Sequence, residues 1–512
     1  MTPADAVAIL GPLPVVLPLL GAGLTLTMTG RAAAQRLVSI TVLTVVLAVA
    51  VVLLLLVDQA GAQSVVIGGW RPPLGIVLVV DRLSALLLVT SATVALGVLV
   101  YAVGQGMTDG EDSETPVSIF HPTYLILIAG VANAFLTGDL FNLYVGFEIL
   151  LTASYVLLTL GGTEARLRAG VTYVIVSLVS SVLFLSAIGL VYGATGTVNL
   201  AQLAERLDTL PADTRLVLHV ALLLGFGIKA AVFPLAFWLP DSYPTAPAPV
   251  TAVFAGLLTK IGVYAIIRTE TLLFPSEELT NVLLVAALLT LTVAILGAIV
   301  QSDLKRVLSY TLVSHIGYMM FGIALGSVAG LAAAIFYAVH HITIQTTLFL
   351  ASGLVERRGG STSSRRLGGL AHLAPLLGVL YFVPAMNLAG IPPLSGFVGK
   401  LGLFRAGVAE GGWLVYTVVA AGALTSLLTL YAVARIWNVA FWRSPLEAEN
   451  PEPVLLDPSP KGVMPATMVA ATAAMVAVGV LLAVAAGPLW SLCTRATEDL
   501  VDRNAYIRTV LQ

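Results

Sequence analysis

Residues 223–241 read LLGFGIKAAVFPLAFWLPD, a run apolar enough for lipid that carries one lysine, Lys229, and a proline, Pro234, five residues later. An ionised group at a bilayer centre costs roughly 2.5–3.5 kcal/mol even on insertion scales, so it is rare without a partner or a watery cavity. The proline removes an intrahelical hydrogen bond and opens the helix locally, so freed carbonyls and the lysine can share water. Interrupted helices in two halves of a transporter point to its working site. A second stretch, NLAGIPPLSGFVGKLGLF at 387–404, repeats the theme, with Pro392 and Pro393 ahead of Lys400.

The rest of the chain agrees with lipid as the solvent. Of 512 residues 58% are hydrophobic and 10% charged, and the mean hydropathy is +0.99. A soluble domain of this size needs roughly a quarter of its residues charged. Apolar spans long enough for ~30 Å of hydrocarbon recur at 5–28, 37–57, 76–103, 119–137, 139–160, 168–193, 215–238, 247–268, 279–301, 307–326, 328–355, 373–402, 411–434 and 463–487. The alternation of barrel strands is missing, so an all-α polytopic protein of about 14 transmembrane helices is expected. The piece Asn199–Leu207 is amphipathic and fits the interface. No basic segment precedes the first apolar run, which predicts that the first helix is its own insertion signal. The one cysteine, Cys493, rules out an internal disulfide and reads as a small residue of the last apolar helix.

Net charge is −2 and says little; its layout says more. With the N-terminus outside, thirteen lysines and arginines fall on the cytoplasmic side, including those at 31–36, 305–306, 357–366 and Lys461, and nine on the other. The positive-inside rule then places both termini outside the cytoplasm. The acidic stretch Asp109–Glu114 reads as a solvated connector.

Three basic residues remain, Lys229, Lys260 and Lys400, each well inside an apolar span. Glu148, in LFNLYVGFEILLTASY at 140–155, is likewise embedded, as are His315, His340 and His341. A structural ion pair would account for an isolated glutamate equally well, and a lone buried histidine is more often a satisfied core residue. Together they form a series able to pass protons through water, because histidine titrates near neutral pH and burial brings lysine into the same range. Lys400 follows Lys229 by 171 residues and His315 follows Glu148 by 167. That spacing predicts two inverted five-helix repeats, 119–268 (helices 4–8) and 279–434 (helices 9–13), with helices 7 and 12 broken. Helices 1–3 occupy 1–118, and a loop, helix 14 and a tail occupy 435–512.

GIKAAVFPLAFWLPDSYPTAPAPVTAVFAGLLTKIGVYAIIR at 227–268 closely resembles the core of antiporter-like membrane subunits, found in Mrp-type cation/proton antiporters, respiratory complex I and membrane-bound hydrogenases. FEILLTASYVLL around Glu148, DLKRVLSYTLVSHIGYM around His315 and GIPPLSGFVGK before Lys400 extend the resemblance from about Asp81 to Ala440. Length, Lys400 in the twelfth helix and GLLTKIGVYAIIR around Lys260 resemble the D-type member of Mrp antiporters most. The resemblance implies a helix-5 carboxylate, Glu148, paired with Lys229; a connecting lysine, Lys260; a helix-11 carrier, His341; and a terminal lysine, Lys400. It also matches Asp81 to the family's aspartate near the start of helix 3. Gln345 departs from the pattern, which commonly has lysine there, so the path between Lys260 and Lys400 would lean on His315, His341 and water.

The resemblance implies a plasma-membrane protein that exchanges protons for Na+ or a similar monovalent cation with other subunits of a hetero-oligomeric complex. It implies no enzyme and no cofactor. The same fold could serve a redox pump of the complex I or hydrogenase type, or a structural scaffold. The sequence has no nucleotide-binding glycine loop and no metal-ligand cluster, and nothing in it supports an enzyme acting on lipid or quinone.

Overall fold

Hydrocarbon offers a backbone no hydrogen-bond partner, so each long apolar run closes its bonds internally as a helix. The computed structural model describes residues 2–106, 119–275, 278–456 and 464–511; Asp109–Glu114 and Lys461 lie outside the described residues. The chain begins with α1 (Pro3–Thr27), α2 (Ala32–Ala60), strands β1 (Gln63–Val66) and β2 (Val77–Val80), and α3 (Arg82–Gly104). It continues with α4 (Phe120–Leu136), α5 (Leu140–Thr159), α6 (Glu164–Thr195), α7 (Ala212–Ala230) and α8 (Ala248–Leu273). The second half holds α9 (Thr280–Val300), α10 (Leu304–Ala324) and α11 (Val328–Gly359). Then come α12, in halves Pro375–Ala389 and Ser395–Glu410, α13 (Trp413–Trp442), α14 (Ala466–Val484), α15 (Ala486–Val501) and α16 (Arg503–Leu511). Eleven helices among the described residues are long and apolar enough to cross a membrane. The short α4, the charge-bearing α7 and the divided α12 fill the other expected spans, consistent with fourteen passes in two five-helix sets.

Two regions depart from the expectation. The span 76–103 begins as a strand, because Val77–Val80 pairs antiparallel with Gln63–Val66, and α3 starts only at Arg82. Asp81 caps that helix, accepting from Ser84 N at 2.8 Å. Beyond α14 the tail is helical too; Cys493 lies buried in α15 rather than in the last apolar helix. The Asn199–Leu207 piece is a short helix, Leu200–Leu207, capped by Asn199 and packed against α16.

Loop contacts sort the connections into two faces. On one, Leu78 bridges Thr137, Asp139 bridges Asn199, and Arg503 donates to Leu272 O and Ala204 O. On the other, Asp303 bridges Ser363, Arg306 pairs with Asp241 at 3.0 Å and Lys305 with Glu356 at 2.7 Å. Both chain ends lie on the first face: α1 and α16 each pack on β1, and Ser64 Oγ donates to Thr509 O at 2.8 Å. An even number of crossings requires this. We call it the termini face.

Lys260, His315, His340 and His341 sit on helices that are almost entirely enclosed by other helices. The apolar windows of α8, α10 and α11 are 100%, 94% and 89% buried, against 33% for α1, α2 and α13, so groups on the first three meet protein rather than lipid. Gly262 brings α8 directly onto the end of α7, since a Cβ there would lie 2.6 Å from Ala230 N. Gly262→Ala must therefore displace backbone and is expected to destabilise by about 1–3 kcal/mol. Gly193→Ala, in open space, should be neutral. Melting curves of the purified variants in detergent check this: equal melting temperatures for the two would contradict the packing account.

Candidate functional site

Glu148 of α5, Ser181 of α6 and Lys229 of α7 form one connected group. Ser181 Oγ donates to Glu148 Oε1 at 2.5 Å and accepts from Lys229 Nζ at 3.1 Å, so the carboxylate and the ammonium meet through a hydroxyl. Lys229 is buried, 5.7 Å from the centre of the Phe147 ring, and Glu148 is half-buried. A cavity of about 20 Å³, lined by Lys229, Ser177, Tyr173, Trp238 and Tyr243, adjoins it. That is room for about one water by the usual measure.

The local backbone follows from Pro234. Proline has no N–H for the Ala230 carbonyl four residues earlier, and α7 stops at Ala230. Ala231 then turns left-handed at φ 57°, the one non-glycine residue with positive φ among those described. Phe233 N finds its acceptor on another helix, Thr290 Oγ1 of α9 at 3.0 Å.

Lys260 lies midway along α8, which winds as a π-helix at Phe254–Leu258 and again at Thr269–Leu273. Its Nζ donates to Ala255 O in the first of these turns at 2.6 Å.

Lys400 is held by the break in α12. Pro392 and Pro393 lack the N–H groups that Leu388 O and Ala389 O would otherwise accept. Lys400 Nζ supplies both, at 3.0 and 2.9 Å, and donates to Ser426 Oγ of α13 at 3.0 Å. The ring of Tyr318 lies 5.1 Å away. The two lysines stand on opposite sides of their breaks: Lys229 precedes its interruption and Lys400 follows it. The 171-residue offset therefore aligns the lysines without aligning the breaks.

The histidines lie between Lys260 and Lys400 in a cluster shared by α10, α11 and α13. His315 bonds Tyr337 Oη through Nδ1 at 2.8 Å and Thr429 Oγ1 through Nε2 at 3.2 Å. Its ring centre is 5.4 Å from that of His341. Both ring nitrogens of His341 are buried and hydrogen-bond no protein atom. His340 points the other way, Nδ1 bonding Ser395 Oγ at 2.9 Å. Gln345 donates to Leu308 O at 2.6 Å.

Several partners are not singled out by sequence reasoning: Ser181, Ser426, Tyr337 and Thr429, ordinary hydroxyls with no sequence signal of their own. Arg268 reads from the sequence as the end of the span 247–268; it is buried, pairs with Asp81 and lies over the rings of Tyr264 and Tyr506 at 5.3 and 5.4 Å. A second missed pair, His219 Nε2 and Glu270 Oε1 at 2.6 Å, joins α7 to α8.

Residues 137–429 match the family model described as NADH:quinone oxidoreductase/Mrp antiporter, TM. The D-type component of the Na(+)/H(+) antiporter of Alkalihalophilus pseudofirmus is 36% identical over 504 residues, covering 98% of this chain and 99% of that one. Its namesake from Bacillus subtilis is 40% identical over 445 residues, covering 86% and 88%. A chain of the solved Mrp complex from Dietzia sp. DQ12-45-1b superposes with a TM-score of 0.89 at 32% identity, covering 98% of this chain and 100% of that one. A chain of the membrane-bound sulfane sulfur reductase, an archaeal respiratory complex, reaches 0.86 at 25% identity with the same coverage. The helical plan, the two broken helices and these full-length likenesses place the chain in the antiporter-like membrane-subunit family shared by NADH:quinone oxidoreductases and Mrp antiporters, among the D-type members of the Mrp branch.

Proposed function

We propose that this chain is the proton-translocating subunit of a multi-subunit monovalent cation (Na+)/proton antiporter, passing protons along Glu148, Lys229, Lys260, His341, His315 and Lys400. The observation that carries the reading is the kind of partner each buried lysine has. The two other buried lysine and arginine residues among those described pair with carboxylates, Arg268 with Asp81 and Lys305 with Glu356. Lys229, Lys260 and Lys400 bond neutral oxygens instead: Ser181 Oγ, Ala255 O, and the group Leu388 O, Ala389 O and Ser426 Oγ. An amine keeps N–H donors after losing its proton, so these partners accept from either form.

The mechanism is electrostatic. While Ser181 links Glu148 to Lys229, the carboxylate favours the protonated amine. Separating α5 from α7 leaves an ammonium without nearby opposite charge in a low-dielectric interior, and its proton moves through water to Lys260. From there it passes by His341 and His315 to Lys400. Water suits the gap at His341, because buried polar groups almost always have a partner. Gln345 cannot carry a proton, which places the load on the histidines. Movement of a neighbouring subunit could drive the first step or respond to it.

The setting is the plasma membrane, with the arginine-rich loops on the cytoplasmic side and the termini face outside. A redox pump is the second reading, favoured by the likeness to a respiratory complex; neighbouring genes for iron–sulfur or flavin proteins would decide for it. As a transporter subunit without an energy-binding motif, the chain should work only in its complex. Expressed alone in cells lacking their own antiporters it should give no Na+-dependent proton exchange, and robust exchange by the single purified protein in liposomes would refute this.

Two substitutions test the relay in complexes assembled to equal amounts. Glu148→Gln keeps the bond to Ser181 but not the charge and should abolish most exchange; transport near the wild-type rate would remove Glu148 from the mechanism. Lys229→Arg stays charged at every accessible pH, so it preserves an ion pair but cannot release a proton. Its exchange should fall at least about tenfold between pH 6 and 9. Full activity would favour the scaffold reading, and Lys260→Arg measured alongside separates a size effect from loss of proton release.

A further inference from the structure

His219 and Glu270 take no part in the row just described, yet they form a titratable pair deep in the protein. His219 is almost fully buried, its side chain 1% exposed and stacked on Phe274 at 4.4 Å, while the Glu270 side chain is 11% exposed. Glu270 bonds the imidazole through Oε1 and also lines a cavity of about 350 Å³ at the termini face. Thr271, Thr280, Ser327 and a second carboxylate, Glu410, line the same cavity, between the ends of α8, α9, α10, α11 and α12.

The pair's place on its helices is informative. His219 precedes Lys229 by ten residues on α7, and Glu270 follows Lys260 by ten on α8. Ten residues of helix span about 15 Å, so the pair crosses between the same two helices that carry two lysines of the row, but nearer the termini face. Surrounding charges are engaged elsewhere. Arg215 pairs with Glu278 at 3.2 Å, Arg268 with Asp81, and Arg503 with Asp208 at 3.1 Å. Asp213, Glu205 and Glu498 lie exposed on neighbouring elements. The carboxylate on this wet boundary is therefore answered by a histidine, whose ring nitrogens can donate or accept, and not by a permanent cation.

We propose that this cavity is the port through which the protein exchanges protons with the medium on the termini face, with Glu270 and His219 as the exchanging pair. A proton from cavity water adds to the Glu270 carboxylate and is shared with the imidazole; release reverses the transfer. The proposal takes its cargo from the relay reading above.

Two measurements on the intact complex test it. Treatment from the termini side with a water-soluble carbodiimide and a small amine, mapped by mass spectrometry, should modify Glu270 as well as exposed Glu410. Modification of Glu410 alone would overturn the port without any reference to transport. In liposomes, with pH varied only on the termini side, Glu270→Gln should lose one titrating step of the exchange profile and at least about fivefold in rate. His219→Gln should keep that step but displace it along the pH axis, which a purely structural tie between α7 and α8 would not do. A Glu270→Gln profile superimposable on wild type would also overturn the port. Glu148→Gln run in parallel keeps the two ideas separate: its loss of exchange beside a failed port leaves the relay standing, and its full activity beside carbodiimide labelling of Glu270 fails the relay alone.

Discussion

A cation enclosed in this protein can be answered only by a group the fold itself supplies, because the lipid around it answers nothing. The fold answers in two ways. Near the faces it uses carboxylates for two enclosed cations: Arg82 lies between Asp58 and Asp499, at 2.9 and 2.7 Å, and Arg268 meets Asp81, while the half-buried Arg435 and Arg443 bond backbone carbonyls. Along the middle it uses neutral oxygens. Removing one member of a buried ion pair leaves an uncompensated charge, a change worth several kcal/mol, so a directly paired cation is effectively locked. A carbonyl imposes no such lock, since it remains a satisfied acceptor whether the amine carries two protons or three. On the relay reading, the neutral partners of Lys229, Lys260 and Lys400 mark the part that would change its protonation, and the carboxylate pairs of Arg82 and Arg268 the part that would keep it.

Neutral oxygens are scarce inside a helical bundle, where nearly every carbonyl is already taken by the helix. Two of the three lysines obtain theirs from local faults of the backbone, the third from a side chain. Pro392 and Pro393 free Leu388 O and Ala389 O for Lys400. The π-turn Phe254–Leu258 widens α8 where Ala255 O meets Lys260. Lys229 takes a serine hydroxyl from the neighbouring helix and stands one residue before the end of its own. Such backbone irregularity at membrane depth is tolerated only where protein or water surrounds it, and the burial of Lys229, Lys260, Lys400 and of Leu388 and Ala389 at the break meets that condition.

Much of this is legible in the amino-acid sequence. Hydropathy locates the long helices, and proline next to an embedded lysine locates both breaks, because these signals are local and each residue type has one physical consequence. The hairpin is hidden because Val77–Val80 is as apolar as the helix that follows, and only pairing with Gln63–Val66 reveals it. The tail is hidden because α15 and α16 are amphipathic pieces stabilised by packing on the termini face. The hydroxyls are hidden for another reason. Ser181 lies 33 residues from Glu148 and 48 from Lys229, and Ser426 lies 26 from Lys400, so nothing local distinguishes them from any serine facing a helix neighbour. His219 carries a readable signal, a histidine on the lysine-bearing helix, but its value depends on Glu270, which by sequence alone belongs to a loop.

In the proposed relay, a row at mid-depth would move a proton sideways, from α5 towards α12 and α13, and by itself would move none from one face to the other. Exchange across the membrane needs an opening to each side, and the two openings must not be joined at the same moment or the gradient would leak through. The fold has the geometry for such separation. The Lys229 cavity is small and walled by Tyr173, Trp238 and Tyr243, aromatic groups that leave space for about one water. The cavity beside Glu270 is far larger and lies at the termini face. Gly262 lets α8 pack directly on the end of α7, where an added Cβ would lie 2.6 Å from Ala230 N. On the relay reading, a proton crossing from one side to the other would have to visit side chains that can be switched by the charge of their neighbours, and that obligation would allow its passage to be tied to the movement of a second ion.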